Sequence, residues 1–177
     1  MRRLLDFLYA GAGALAAGFI FLIFVVMLGS SALRQAGVAA AGVDDLVAWM
    51  TAAAAFLGMA HTFRSGDFVR MTLVIDRFAG TPRRVIEACA LAVGLVCTAY
   101  GAWWVVDSVY GSWRYQEMST GLLVVPLWIP QVSFALGAVL LFIALADELL
   151  RVLRGRAPSY VEAVEERHAR GDYSQDL

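Results

Sequence analysis

The chain has no lysine, two cysteines, two histidines and four prolines among 177 residues, and only 16% of it is charged. Soluble domains carry about a quarter charged residues, so a soluble globular class is excluded at the outset. Cys89 and Cys97 are eight residues apart in one apolar stretch. On a helix that separation is roughly 12 Å, which no disulfide spans. The thiols therefore read as small apolar groups. His61 is the only histidine of the membrane region and His168 lies in the tail. A haem held between two axial histidines is excluded, as is a metal-ligand cluster. No Ser/His/Asp arrangement, glycine-rich phosphate loop or pair of intramembrane carboxylates is present, so the sequence shows no catalytic constellation. Neither a cofactor in this chain nor a nucleic-acid partner is expected.

What the chain does have is apolar length: 60% of its residues are hydrophobic. A bilayer core takes about 20 apolar residues to cross as a helix, and four segments qualify. They run over Phe7–Leu33, Leu46–Phe63, Val85–Val106 and Gly121–Ala146, the last with Pro126 and Pro130 near its start. The first is longer than the 7–15 apolar residues of a cleaved signal peptide, and reads as a signal anchor that stays. The expected fold is an all-α integral membrane protein, with a four-helix membrane domain over 1–153 and a tail over 154–177.

Orientation follows from arginine alone, since all 14 basic residues are Arg. Arg2 and Arg3, then Arg64, Arg70, Arg77, Arg83 and Arg84, then Arg151, Arg154, Arg156, Arg167 and Arg170 fall on one side. Only Arg34 and Arg114 fall on the other. The positive-inside rule puts both termini in the cytoplasm. Trp49, Trp103, Trp104, Trp113 and Trp128 then gather at the outer ends of the spans, as belt residues do.

Between the second and third spans the chain reads "RSGDFVRMTLVIDRFAGTP". As a helix over about 67–79 it puts Phe68, Met71, Thr72, Ile75 and Phe78 on one face and Arg70 and Arg77 on the other. That pattern predicts an amphipathic helix lying in the cytoplasmic interface. Asp67 stands near its positively polarised N-terminus. Small residues recur every four positions at Ala10, Ala14 and Gly18, at Ala54, Gly58 and Thr62, and at Ala90, Gly94, Thr98 and Ala102. Such stripes let helix backbones approach closely in lipid, against self or partner. Ionisable groups are nearly absent from the spans. Glu87 is in the first turn of the third, within reach of the interface or of Arg83.

Four features taken in order resemble one family. The first span ends in "ALRQAG", and "VDDL", with Asp44 and Asp45, opens the second. "FLGMAHTFRSGDFVRMTLVIDRF" leads through a basic-glycine turn into the amphipathic stretch, and "STGLLVVPLWIPQVSFALGAVLLF" introduces the last span. Together they are similar to the small, DctQ-type membrane subunit of tripartite ATP-independent periplasmic (TRAP) transporters, over roughly Leu4–Leu153. Val43 and Phe68 stand where the family commonly has an aromatic residue and a histidine.

The resemblance implies an inner-membrane accessory subunit that braces a large TRAP membrane subunit. It also implies a periplasmic substrate-binding protein as second partner, with membrane lipids around both membrane subunits. Sodium and an organic acid would bind the large subunit, and uptake would be sodium-driven. Arg64, Asp67, Arg70 and Arg77 are the expected cytoplasmic brace. Asp44, Asp45, Trp113, Arg114 and Glu117 are the expected periplasmic contacts, although Asp44 and Asp45 equally suit capping of their helix. The competing expectation is a self-sufficient homo-oligomeric transporter, which would need Glu87 as its coupling site. A membrane enzyme or redox subunit ranks third.

Overall fold

The computed structural model describes residues 2–38, 40–65 and 81–155. Four α-helices occupy almost all of them: α1 (Arg2–Gln35), α2 (Val43–Ser65), α3 (Thr81–Arg114) and α4 (Trp128–Leu153). Each is long and apolar enough to cross a membrane. The predicted interfacial helix over 67–79 and the tail beyond Gly155 lie outside the described residues.

Local chemistry accounts for the helix ends. Gly37 takes φ 77°, and the Gly37 and Val38 N–H groups donate to the Arg34 and Leu33 carbonyls at 3.1 and 3.0 Å. This is a glycine-terminated stop that satisfies the last carbonyls of α1. Gly155 closes α4 in the same left-handed conformation, with φ 71°. The apolar run from Gly121 becomes helical only at Trp128, because the preceding residues fold back on themselves as a loop. Pro130 falls in the first turn of α4, where a missing N–H is harmless. Inside the helices Thr51, Thr62 and Thr98 donate their hydroxyls to carbonyls four residues back. In hydrocarbon, where no water completes such groups, this satisfies them locally.

The helices pack in the order α1, α2, α4, α3. Gly58 of α2 lies against Ala16 of α1, and Gly94 of α3 against Leu145 of α4, so both flanking pairs are antiparallel. α2 and α4 run parallel, with Gly137 against Phe56. The start of α1, the end of α2, the start of α3 and the end of α4 therefore share one end, the terminal end. The α1–α2 and α3–α4 connections share the other, the loop end. Most of the core sits toward the terminal end, where Tyr9, Ala60, Phe63, Leu91, Ala144, Leu145 and Val152 form a buried cluster. Ala12, Ala16 and Leu57 form a second seam between α1 and α2.

Outside this core the large side chains face outward: Phe7, Phe21, Val93 and Val96 are all more than half exposed. Small residues within and bulky apolar residues without is the arrangement lipid favours, since hydrocarbon solvates Phe and Val as well as a protein core does. Of the three small-residue stripes, those on α2 and α3 reach the seams through Ala54, Gly58, Gly94 and Ala102. The α1 stripe does not. Ala10, Ala14 and Gly18 are exposed, and α1 buries Tyr9, Ala12 and Ala16 instead. An Ala/Gly-rich helix offers several four-residue registers, and burial of the large Tyr9 ring fixes which one turns inward.

Candidate functional site

Two places concentrate polar groups, one at each end of the bundle. At the loop end the connection after α3 is built around Ser112 and Glu117. Buried Ser112 donates its hydroxyl to Glu117 Oε2 at 2.9 Å, while the Glu117 N–H donates to the Ser112 carbonyl at 3.1 Å. Between them Gln116 takes φ 52°, a left-handed conformation supported by its side-chain amide donating to the Trp113 carbonyl at 2.8 Å. The chain then doubles back. Ser119 N–H donates to Val125 O and Leu127 N–H to Glu117 O, both at 2.9 Å, around a bridge between Met118 and Pro126.

This folded loop is seated on the first turn of α2. Asp45 Oδ2 accepts from the Leu123 N–H at 3.3 Å, and the Leu123 side chain fills the space above Gly42. Gly42 has φ 82°, and a Cβ there would fall 2.5 Å from Leu123 Cγ. A Cβ on Gly121 would run into the Asp45 carboxylate. The alternation turns Leu123 inward and leaves Leu122 and Val124 more than 70% exposed.

The five residues expected to meet a partner on this side thus separate into two groups. Asp45 and Glu117 are engaged within the chain, holding the loop. Asp44, Trp113 and Arg114 are exposed and accompany Tyr115, Met118, Leu122 and Val124 on an apolar rim. Both acids lie inside the first turn of α2, where negative charge is favoured, and the bond that Asp45 accepts comes from the N–H of the distant Leu123.

At the terminal end, Arg64 is in the last turn of α2. Asp67, Arg70 and Arg77 lie outside the described residues. Residues that sequence reasoning passed over stand out here. Glu148 and Arg151 of α4 are both buried, 2% and 7% exposed, with Arg151 Nη1 3.8 Å from Glu148 Oε1. Their helical neighbours Leu145, Leu149 and Val152 pack in the cluster that contains Tyr9 and Phe63. The signal for them was present: after Ala146 the sequence "DELLRVL" keeps apolar residues on one face, so the helix and its packing continue to Leu153. Reading Arg151 only as an orientation marker hid this. Across the bundle the His61 ring rests on Gly13, where a Cβ would lie 2.7 Å from its Cγ. Among the described residues no three His, Cys, Asp or Glu side chains converge as a metal site requires.

Comparison with known proteins adds one finding. The family model for the DctQ component of tripartite ATP-independent periplasmic transporters matches residues 23–155, which include the C-terminal part of α1, all of α2, α3 and α4, and the loop seated on Asp45. No curated protein matches the chain significantly.

Proposed function

The chain belongs to the DctQ component family of TRAP transporters, a multi-pass inner-membrane protein, and from that premise we propose that it is the accessory subunit bracing a large permease. In this reading it also helps dock the periplasmic substrate-binding protein during sodium-coupled uptake of an organic acid. Sodium and substrate bind the large subunit, and both termini of this chain face the cytoplasm.

One observation carries the proposal. Among the described residues the helix seams are filled by apolar side chains, Tyr9, Ala60, Phe63 and Leu145 in one cluster and Ala12, Ala16 and Leu57 in the other. The buried charges among the described residues, Glu148 and Arg151, oppose each other on one helix at the terminal end, away from the membrane middle. An ion-coupled transporter instead places ionisable groups along the solute's route. Two surfaces support the assembly role. The exposed stripe Ala10–Ala14–Gly18 leaves α1 a flat outer face for close helix packing, with nothing within 4 Å of a Cβ at Gly18. At the loop end, the rim of Trp113, Tyr115, Met118, Leu122 and Val124 surrounds a loop stiffened by Asp45 and Glu117. Large rigid aromatic and aliphatic side chains of this kind anchor protein interfaces.

The test is a pull-down of the tagged chain from its native membrane in mild detergent. Near-stoichiometric recovery of a many-span permease is the expected result. Return of the chain alone, as a stable homo-oligomer whose transport is abolished by Glu87→Gln, would replace the accessory reading with the self-sufficient one.

A further inference from the structure

α3 stands at the edge of the bundle with α4 as its main neighbour. Its other face carries Val93, Tyr100, Asp107 and Arg114 in one line, seven residues apart, all exposed. Val96, Trp103 and Tyr110 alternate with them and are exposed as well. Two positions in every seven are those through which one helix packs lengthwise on another. On this line large apolar or aromatic groups are interrupted by a single carboxylate, Asp107.

Three helix contacts give the depth of that carboxylate. Gly94 lies against Leu145, so Asp107, thirteen residues on, is level with Val132 of α4. Gly137 against Phe56 carries this level to Thr51 of α2, and Gly58 against Ala16 carries it to Ile23 of α1. Thr51 is seven residues, about 10 Å, inside Asp44, and Ile23 falls within the charge-free run Phe7–Leu33. Asp107 is therefore at hydrocarbon depth, whereas Arg114, two turns further out, is level with the acidic start of α2. Helical side chains lean toward the helix N-terminus, which for α3 is the membrane interior, so the short Asp107 side chain does not climb to the headgroups. Its neighbours one turn away, Trp103, Trp104, Tyr110 and Gly111, include no base, and among the described residues it has no hydrogen bond or ion pair. A charge at such depth ordinarily meets an opposite charge or faces the protein interior.

We propose that the outer face of α3 is the seam for a transmembrane helix of the large permease, with an Arg or Lys of that helix facing Asp107. The inference rests on the accessory reading and names the face and the charge by which it is realised. Charge selects the occupant. A lipid headgroup stays at the level of Arg114, about 10 Å above the carboxylate. A second copy of this chain, related by the two-fold axis of a dimer, would bring its own α3 alongside in the same direction. Like positions then face each other, Asp107 against Asp107 and Arg114 against Arg114, which repels at both layers. A partner helix that is apolar at the levels of Tyr100 and Trp103 and basic at the level of Asp107 meets neither obstacle. The single acid would also fix the register of the two helices, as one polar residue does in an otherwise apolar seam.

Recovery of the permease with the tagged full chain in mild detergent tests this. Asp107→Asn should lower that recovery about tenfold, because it leaves the partner's base buried and unpaired. Asp107→Glu, which keeps the charge, should retain most of it, and Ser108→Ala, at the exposed neighbour off the seam, should change nothing. With p-benzoylphenylalanine in place of Trp103, illumination of native membranes should join the chain to a transmembrane helix of the permease that bears an Arg or Lys. This cross-link decides the matter if Asp107→Asn loses helix content by circular dichroism. Adducts with lipid alone or with a second copy of the chain overturn the proposal, as does undiminished recovery with folded Asp107→Asn. With the permease still recovered by the native chain, those outcomes leave the accessory reading standing, whereas a native chain that recovers no permease overturns both.

Discussion

Gly137 of α4 meets the backbone of Phe56 in α2: a Cβ at position 137 would fall 2.5 Å from both the carbonyl carbon and the oxygen of Phe56. One turn toward the loop end the Phe56 and Phe134 rings stack with centroids 5.7 Å apart. This contact lets the two central helices run side by side. Gly137→Ala should therefore destabilise the chain by about 1–3 kcal/mol, the usual cost of overpacking. A lowered melting temperature in detergent is the readout. Gly101→Ala, where a Cβ meets nothing within 4 Å, should leave the melt unchanged.

The buried pair Glu148–Arg151 predicts strong non-additivity. Glu148→Gln removes the negative charge 3.8 Å from the buried Arg151 guanidinium and should cost about 1–3 kcal/mol. The double variant Glu148→Leu with Arg151→Met should recover most of that, because apolar groups of similar volume suit the surrounding cluster. A double-mutant cycle by thermal or denaturant unfolding measures it, and additive losses would count against pairing.

The outer loop supplies a prediction that separates two adjacent acids. Asp45→Ala deletes the acceptor for the Leu123 N–H and should cost about 1 kcal/mol. It should also increase proteolytic cleavage between Ser119 and Val125. Asp44→Ala, exposed and without that contact, should not. Cleavage rates under limited proteolysis decide the matter.

The outward stripe of α1 predicts an effect on assembly without an effect on folding. Gly18→Leu places a bulky side chain in open space, so the isolated chain should melt as before. If the large subunit packs on this face, its recovery with the tagged chain should fall severalfold. Unchanged recovery would move the contact elsewhere.

Much of the architecture was legible because lipid imposes a simple rule. A backbone in hydrocarbon must satisfy its own polar groups, so long apolar runs become helices whatever else they touch. That is why four runs became α1 to α4, and why Gly37 and Gly155 could mark two of their ends. The fourth run illustrates the limit. Gly121–Leu127 is rich in Leu and Val like the body of α4, yet it folds as a loop, because Glu117, Ser119 and Asp45 take its backbone hydrogen bonds.

By itself, then, the sequence determined the number of spans, their helical state and the order of motifs that marks the family, since these depend on local hydrophobicity and spacing. The tertiary structure decided which face of each helix is internal. It turned Ala10, Ala14 and Gly18 outward and Tyr9 inward, it made Asp45 an internal support and left Asp44 exposed, and it buried Glu148 with Arg151. Those choices rest on which side chains fill the space between neighbouring helices, and an apolar periodicity in lipid, where every face of a helix is acceptable to the solvent, carries almost no information about that.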